Sequence, residues 1–390
     1  MNNTSEMLDL GWSDALNASF QEIAANIDGA VAVRIVREDR GLYRAISEGE
    51  TLLAEITGAY RYSHSSSEDH PAVGDWVVAT RVEGEDKLRI HDVLPRKTVF
   101  KRTQPGTTSD VQVVAANVDT VFIVMGVDGD FNPRRAERYI ALAYESGATP
   151  VVLLSKSDLA ETLDEFISTM ESAAIGVSVH TVSSLEGDGI ETLRPYIQPG
   201  KTVACLGSSG AGKSTLINAL LGETVMDTGD VREDDSRGRH TTTHRQLVML
   251  PDGGAIIDTP GMRELQMTGD EASLDAAFED VESLIESCRF NNCSHDSEPG
   301  CAVLSAIEEG ELDPARYKSY QKLQRELAYV QRRQNESSDH EQRQRGKSLN
   351  KLHKRIQNEK KNRFRDQVSD SPLHCTKTYR YICEYSVGSR

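Results

Sequence analysis

The sequence of 390 residues lacks several features that would place it in a membrane or secreted class. It contains no apolar run approaching the roughly 18 residues that a membrane-spanning helix requires. Its first residues, MNNTSEMLDL, have neither the basic block nor the apolar block of a signal peptide. Its six cysteines fit a reducing compartment if some bind metal and the rest are free thiols. These absences predict a soluble cytoplasmic protein with no membrane partner.

Positive charge is also scarce, because 44 Lys and Arg residues stand against 61 Asp and Glu residues, for a net charge of −17. Such a balance argues against nucleic acid as a partner when the charge is evenly spread. Here it is uneven, since residues 331–390 carry a balance of +8 and residues 1–330 one of −25. An acidic body with a basic tail can still dock on RNA, because the charge of the binding face matters more than the sum.

The stretch TVACLGSSGAGKSTLINALLG, residues 202–222, carries the strongest chemical signal. A short apolar strand is followed by a match to G-x-x-x-x-G-K-[ST] and then by helical periodicity, which is the context of a phosphate-binding loop. Glycines let backbone N–H groups turn toward phosphate oxygens, and the helix N-terminus adds its dipole. A glycine-rich turn that matches by chance is the alternative, and the flanking strand and helix argue against it. The residues predicted to contact the nucleotide are Gly207, Ser208, Ser209, Gly210, Ala211, Gly212, Lys213, Ser214 and Thr215.

Magnesium ligands are predicted at two places in the sequence. Lys213 is expected to reach the β- and γ-phosphates, and the Ser214 hydroxyl is expected to hold Mg²⁺. Asp258 follows the apolar strand AII, where a nucleotide hydrolase places the carboxylate that orients Mg²⁺. In the same D-x-x-G motif the N–H of Gly261 can sense the γ-phosphate. This motif is weak alone, because Asp and Gly favour turns, but its place after a strand strengthens it.

A guanine clamp is predicted at the end of the strand VVLL. The four residues Ser155, Lys156, Ser157 and Asp158 resemble the N/T-K-x-D motif of GTPases. Asp158 would accept hydrogen bonds from guanine N1 and N2, which adenine cannot supply, and the stem of Lys156 would pack along the base. Ser155 replaces the usual Asn or Thr, and its hydroxyl can still hold the phosphate loop. Residues 183–185 are placed for a backbone contact to guanine O6.

The order of these motifs along the chain differs from that of an ordinary GTPase, in which the phosphate loop comes first and the clamp near the end. Here the clamp at 155–158 precedes the loop at 207–214, and the metal motif at 258–261 comes last. The domain is therefore expected to be circularly permuted. The segment after Gly261, which moves with the γ-phosphate, then runs directly into the C-terminal region.

Residues 229–245 are polar, contain glycine and show no periodicity, which suits a segment that orders over Mg²⁺ and γ-phosphate. A solvated polar loop is the alternative. One of Thr241, Thr242 and Thr243 is expected to ligate Mg²⁺, and the sequence does not say which.

Met262 stands where many GTPases carry the glutamine that positions the attacking water, and an apolar side chain cannot do this. His240 is the candidate catalytic residue, because an imidazole near neutrality can position water. Slow intrinsic turnover is expected, since no positioned arginine or glutamine is evident.

Further along the chain, four potential metal ligands lie within one segment of 14 residues, 288–301. They are Cys288, Cys293, His295 and Cys301. Three thiols and one imidazole form a closed set for one tetrahedral structural zinc ion per chain. Disulfides or buried free thiols are the alternatives. Disulfides are the less favoured of the two, because the cytosol is reducing.

The remaining pattern predicts a multidomain protein. Residues 5–27 have the periodicity of an amphipathic helix. Five short alternating strands follow and suggest an oligonucleotide-binding (OB-fold) β-barrel, which either contacts RNA or serves only as a scaffold. A central α/β circularly permuted P-loop GTPase domain and a mostly α-helical zinc-binding domain come next. The predicted boundaries are 1–28 for a helical extension, 29–104 for the barrel, 105–272 for the GTPase domain, 273–331 for the zinc domain and 332–390 for a flexible basic tail. The one locally basic edge of the barrel comprises Arg96, Lys97, Lys101 and Arg102.

Together these motifs resemble the RsgA (YjeQ) family of circularly permuted GTPases over about residues 30–330. The resemblance rests on VGDW, NVDTVFIVMGVDGDFNPRRAERYIALA, the clamp, GSSGAGKST, GRHTTTHR, DTPGMRE and CRFNNCSHDSEPGCAV. It implies a late maturation factor of the small (30S) ribosomal subunit whose GTP hydrolysis is stimulated by the subunit. It also implies a zinc-bearing C-terminal domain that contacts the subunit and its rRNA, and a catalytic role for His240. Ser155 and the long tail depart from the family pattern.

Two other functional classes compete with a monomeric GTP-hydrolysing assembly factor. A metabolic or nucleic-acid-processing ATPase would have no use for the guanine clamp. An RNA-binding adaptor would use GTP binding as a structural switch without significant turnover.

Overall fold

The computed structural model describes residues 3–39, 41–47, 49–64, 66–103, 111–222, 245–258, 267 and 271–333. The chain divides into two compact units, Met1–Gln331 and Arg332–Arg390. Of the predicted basic tail, 332–390, only residues 332 and 333 are among the described residues. Among the described residues, no helix has the length and apolar character needed to cross a membrane.

Two N-terminal helices replace the single helix that the periodicity predicts. They are α1 (Asn3–Asp9) and α2 (Asp14–Ala24). Gly11, with φ of +89°, lies between them, and the Ser13 side chain begins α2 by accepting a hydrogen bond from an N–H of its first turn. The apolar side chains of this extension pack around Trp76 on the outside of the barrel.

Five strands form the predicted barrel, and the OB-fold prediction is confirmed. They are β1 (Ala30–Asp39), β2 (Leu42–Ser47), β3 (Glu50–Ile56), β4 (Trp76–Arg81) and β5 (Lys87–Val93). A short helix, α3 (Gly58–Ser63), follows β3. The sheet runs β1-β2-β3-β5-β4 and closes through pairing of β1 with β4. Because strand side chains alternate between faces, one set fills the barrel, including Val33, Ile35, Val77 and Ile90.

The barrel is followed by a two-stranded hairpin that the sequence pattern did not predict. Its strands are β6 (Val99–Thr103) and β7 (Val111–Ala116). The two strands of this hairpin lie on either side of residue 104, where one domain boundary is predicted. That boundary remains a prediction.

The central domain is an α/β sheet with helices on both faces. Its strands are β8 (Thr120–Gly126), β9 (Thr149–Ser155), β10 (Ser178–Val182), β11 (Thr202–Leu206), β12 (Arg245–Met249) and β13 (Ala255–Asp258). The helices are α4 (Pro133–Ser146), α5 (Asp164–Ala173) and α6 (Lys213–Leu221), with 3₁₀ turns at Ser157–Leu159 and Ile190–Tyr196. The strand order is β10-β9-β8-β11-β13-β12, and all of these strands are parallel except β12.

Every residue of β8 is buried, because its alternating side chains enter two different cores. Ile123 and Met125 pack on the α4 side, whereas Phe122 and Val124 pack on the α6 side. This arrangement covers both faces of the sheet and brings the carboxyl ends of the parallel strands to one edge.

The barrel and the central sheet are joined as one sheet of 11 strands, because β1 also pairs antiparallel with β12. Arg34 of β1 is only 2% exposed and reinforces the joint. Its guanidinium donates to the carbonyl oxygen of Leu10, to that of Gly74 at 3.3 Å and to Thr202 Oγ1 at 2.9 Å. One side chain thus contacts the N-terminal extension, the barrel and the strand that leads to the phosphate loop.

The C-terminal part of the described chain is helical, as predicted. It contains α7 (Glu271–Ala277), α8 (Glu279–Glu286), α9 (Ala302–Glu308) and a last helix, α10, over 314–333. Phe278 is fully buried and separates α7 from α8, where the helical periodicity of residues 273–287 predicts one continuous helix. Apolar residues of these helices pack on the α4 side of the central sheet.

Candidate functional site

The loop between β11 and α6 has the backbone that a phosphate-binding loop needs. Gly207, Gly210 and Gly212 all have positive φ angles, of +153°, +81° and +89°. A Cβ atom at Gly207 would lie 2.3 Å from the carbonyl oxygen of Val124, so no other residue fits there. Lys213 begins α6, and its ammonium donates to the carbonyl oxygen of Gly207 at 3.0 Å. The loop and its lysine thus face the same space at the edge of the sheet.

The predicted clamp lies at the same edge of the sheet and is bonded to this loop. Ser155 ends β9 and is 2% exposed, and its hydroxyl donates to the carbonyl oxygen of Ala211 at 2.6 Å. Asp158 Oδ1 accepts a hydrogen bond from Ser183 Oγ at 2.6 Å. The structure therefore brings together three segments that the sequence separates, those containing the clamp, residues 183–185 and the phosphate loop.

A cavity of about 440 Å³ opens beside the clamp. Its wall includes Ser157, Asp158, Thr181, Asp188 and Thr192. These groups offer carboxylate and hydroxyl acceptors to the N–H groups of a base. The wall also contains the His180 ring and the apolar side chains of Leu163 and Val179, so hydrogen-bonding and apolar groups both line the cavity.

Asp258 ends β13 at the same edge of the sheet as the phosphate loop. Strand β13 pairs in parallel with β11, so the aspartate follows the partner of Ala204 in the register. Cys205 on β11 is buried, and burial raises the pKa of its thiol to about 12, with the Asp258 carboxylate adding to the shift. This thiol is an inert core group, and Asp258 lies close to the start of the loop.

Several predicted residues lie outside the part of the chain that the structure describes. They are His240, Thr241, Thr242, Thr243, Gly261 and Met262. Their predicted roles remain predictions.

The four predicted zinc ligands meet at one place. Their ligand atoms all lie within 4.8 Å of one another. The Sγ atoms of Cys288 and Cys301 are 4.0 Å apart, and each lies 3.5 Å from Nδ1 of His295. A tetrahedral zinc ion with Zn–S bonds of about 2.3 Å implies a sulfur–sulfur spacing of roughly 3.8 Å. The donor set and its spacing therefore fit this metal.

Local structure explains how these ligands converge. Cys301 is the N-cap of α9, and Cys288 comes two residues after α8, so the cluster connects the two helices. His295 has a left-handed backbone with φ of +56°, which turns the intervening loop back on itself. Partial burial and the neighbouring thiols raise the pKa of Cys293 to about 11. The thiolate form of this residue is thus disfavoured until a cation binds.

The basic edge of the barrel is largely paired within the protein. Arg96 binds the buried Asp75 carboxylate with two hydrogen bonds, at 2.8 and 2.7 Å. Lys97 pairs with Asp119 at 2.8 Å and is 70% exposed. These ion pairs neutralise much of the positive charge of this edge. The edge is therefore less suited to binding RNA phosphates than its sequence alone indicates.

Two residues near the site were missed by the sequence reading. Asp128 and Asp130 lie in the loop between β8 and α4 and accept hydrogen bonds from Lys156 and Ser208. The sequence signal that could have indicated them is the run Gly126-Val-Asp-Gly-Asp at the end of a buried strand. Acidic residues at such a position usually have a hydrogen-bonding or charged partner.

A family model described as RsgA GTPase matches residues 93–268. The small ribosomal subunit biogenesis GTPase RsgA 1 of Oceanobacillus iheyensis is 46% identical over 85% of this chain and 95% of its own length. The small ribosomal subunit biogenesis GTPase RsgA of Xanthomonas euvesicatoria pv. vesicatoria is 47% identical over 80% of this chain and 85% of its own length.

Two solved structures extend the similarity to the fold. YjeQ from Thermotoga maritima is 28% identical with a TM-score of 0.58, and the match covers 77% of this chain and 99% of that one. YloQ, described as a circularly permuted GTPase, is 25% identical with a TM-score of 0.55, covering 79% and 97%. The permuted order of clamp, phosphate loop and metal motif agrees with that description.

A second family model, described as ABC transporter, matches residues 190–390. This range contains the phosphate loop and its helix, which P-loop nucleotide hydrolases share in general. It omits the clamp, the barrel and strands β8 to β10. The relatives at 46% and 47% identity match most of the chain, including these parts, and they decide the family.

Proposed function

Because this chain belongs to the RsgA family of small ribosomal subunit biogenesis GTPases, we propose that it hydrolyses GTP to GDP and phosphate during 30S subunit maturation. The observation that carries the proposal is the direct bond between the clamp and the phosphate loop, from Ser155 to Ala211. It supports a single nucleotide site, because the proposed base-binding segment and the proposed phosphate-binding segment are in direct contact.

The nucleotide would be held from both ends. Residues 207–213 would offer N–H groups and the Lys213 ammonium to the phosphates, and Asp158 would accept from the guanine N–H groups. Ser157 and Thr215 would complete the two segments, and the Gly261 N–H would contact the γ-phosphate. Bound Mg²⁺ would neutralise charge on the phosphate oxygens, and Ser214 and Asp258 are the residues proposed to hold it.

For the hydrolytic step, we propose that His240 positions the attacking water. The support is chemical, because Met262 has no group that could orient water and an imidazole has. The water must be held in line with the bond that breaks, so loss of the imidazole would lower turnover more than nucleotide binding.

The proposed partner is the small ribosomal subunit with its rRNA. We propose that GTP favours a docked state of a monomeric, cytoplasmic protein and that hydrolysis releases it. Support comes from the chain order, since the segment after Gly261 leads directly into the C-terminal helices. The basic balance of residues 331–390 is suited to RNA phosphates.

The proposed structural metal is zinc, one ion per chain, at Cys288, Cys293, His295 and Cys301. The spacing of these ligands and the absence of any need for an open water position support a structural rather than a catalytic ion. The ion would hold α8 and α9 together.

The function is tested by measuring turnover of GTP and of ATP by the full-length protein, with and without purified small ribosomal subunits. The expected result is slow GTP hydrolysis alone, strong stimulation by the small subunit, and no comparable hydrolysis of ATP. Large ribosomal subunits serve as the matched control. Turnover that ignores the small subunit would refute the proposed partner, and GTP binding without multiple turnover would indicate a non-hydrolysing RNA-binding adaptor.

A further inference from the structure

The loop between β8 and α4, residues 127–132, contacts both halves of the proposed nucleotide site. Asp128 Oδ2 accepts a hydrogen bond from Lys156 Nζ in the clamp at 2.7 Å. Asp130 Oδ1 accepts one from Ser208 Oγ in the phosphate loop at 2.5 Å. Neither aspartate belongs to the phosphate-loop, clamp or metal motif.

The Asp128 carboxylate is held in place by its own loop. The N–H of Val127 donates to the carbonyl oxygen of Ser155 at 3.0 Å, which places the loop beside the clamp. Asp128 Oδ1 accepts from the N–H of Asp130 at 3.0 Å, so both carboxylate oxygens have a donor. A Cβ atom on Gly126 would lie only 2.6 Å from Asp128 Oδ1, and the glycine leaves the carboxylate its room.

Loop position is fixed further along by Asp130. Its carboxylate pairs with Arg135 Nη2 at 2.6 Å as well as with the phosphate loop. Because the loop is bonded at Val127 and again at Asp130, the intervening Asp128 presents its Oδ2 atom toward Lys156.

Lys156 is a residue that needs such support. Its backbone is left-handed, with φ of +58°, and its four-carbon stem carries considerable rotamer entropy when free. Partial burial raises the pKa of Asp128, but the hydrogen bonds from Lys156 and from the N–H of Asp130 outweigh it and lower the pKa below its usual range. Asp128 is therefore ionised near neutral pH and pairs with the ammonium.

We propose that Asp128 is a positioning residue for the guanine clamp, which holds Lys156 so that its stem covers one face of the base before the nucleotide arrives. The inference rests on the proposed function, because it assumes a guanine nucleotide in this site. Asp128 acts through Lys156 at the base end and is bonded to no residue of the phosphate loop among the described contacts. It therefore affects nucleotide binding rather than the hydrolytic step.

The test is Asp128→Asn in the full-length protein, with the dissociation constant of GDP measured by titration calorimetry. We expect GDP binding to weaken about fivefold, as suits an ion pair in which both partners are about one-third exposed. The KM for GTP should rise by a similar factor while kcat is unchanged. A matched control is Asp252→Asn, which breaks an ion pair with Arg194 at the opposite end of the strands and should change neither constant.

A double-mutant cycle separates positioning from a general structural effect. Lys156→Met keeps most of the stem but removes the ammonium, so it should weaken GDP binding by about the same factor as Asp128→Asn. In the Lys156→Met protein, adding Asp128→Asn should have no further effect. Asp128→Glu, which keeps the carboxylate, should restore part of the affinity.

Three outcomes would overturn the inference. They are full GDP affinity in Asp128→Asn, full affinity in Lys156→Met, or equal losses from Asp128→Asn with and without Lys156. A wild-type protein that shows no preference for GDP over ADP would instead refute the guanine nucleotide assignment of the proposed function.

Discussion

At the scale of single residues, the clamp shows how one contact can be made by a different side chain. Ser155 stands where an amide or threonine is usual, and its hydroxyl reaches the phosphate loop at Ala211. A serine hydroxyl has one donor, so this single bond uses all of its donating capacity. Asp158 Oδ1 accepts a second short bond from Ser183, and in the proposed site its Oδ2 would accept from the base.

Asp158→Asn is the residue-scale prediction. The amide replaces one of the two carboxylate oxygens with a donor, so the guanine N1 and N2 donors lose one acceptor and face an N–H group in its place. The preference for GTP over ATP and xanthosine triphosphate should therefore fall by about tenfold or more. Competition binding with the three nucleotides measures this. Asp164→Asn, in the exposed first turn of α5, is the control for loss of one charge. Unchanged preference in Asp158→Asn would exclude the clamp as the base site.

At the scale of elements, the Cys and His cluster adds a possible metal link between two short helices that also share hydrophobic packing. Helices α8 and α9 have only eight and seven residues and are separated by a loop of 15 residues, Ser287–Cys301. Isolated helices of this length are only marginally stable, because the free-energy cost of nucleating a helix exceeds the stabilisation from its few backbone hydrogen bonds. A metal ion bound at the cluster would close this loop and would add stability that the helix propensities of these segments do not provide.

Cys293→Ser tests this element. We expect the purified protein to lose its bound zinc and part of its helical circular dichroism, while GDP affinity stays within about twofold of the wild type. Metal content by mass spectrometry is the primary readout. Ser297→Ala in the same loop is the matched control and should retain one zinc ion per chain. A Cys293→Ser protein that still holds one zinc ion would refute the ligand assignment.

At the scale of the whole molecule, two buried arginines hold the parts of Met1–Gln331 together. Arg34 joins the extension, the barrel and β11, and Arg316 joins the last helix to the central domain. Arg316 is 3% exposed, binds Asp280 with bonds of 2.7 and 2.6 Å and contacts the buried Glu137 of α4 at 3.1 Å.

Arg316→Met should destabilise the folded chain strongly. It leaves the Asp280 and Glu137 carboxylates without their shared partner, and breaking a buried pair costs about 3–5 kcal/mol. Urea unfolding followed by fluorescence gives the change in unfolding free energy. Arg194→Met removes an exposed arginine with two carboxylate partners and should leave the unfolding midpoint unchanged. Equal midpoints for the two variants would show that the buried network contributes no stability.

The fold class, the order of the motifs and the metal-ligand set could be predicted from local sequence patterns. Phosphate loop, clamp and zinc set are local patterns, in which a few neighbouring residue types and a strand or helix beside them suffice. Five alternating strands were enough for the barrel, because strand periodicity reports burial directly. Breaks in helices were missed at Gly11 and Phe278, where tertiary packing overrides helical periodicity.

The contacts between these parts could not be predicted in this way, because they form between distant segments of the chain. Pairing of β1 with β12 makes one sheet of the barrel and the central domain, and it joins residues more than 200 positions apart. The contact of Asp128 with Lys156 and the burial of Arg34 are likewise invisible to a pattern. Such contacts depend on which strands become neighbours, and that choice is made by long-range packing rather than by the period of any one segment.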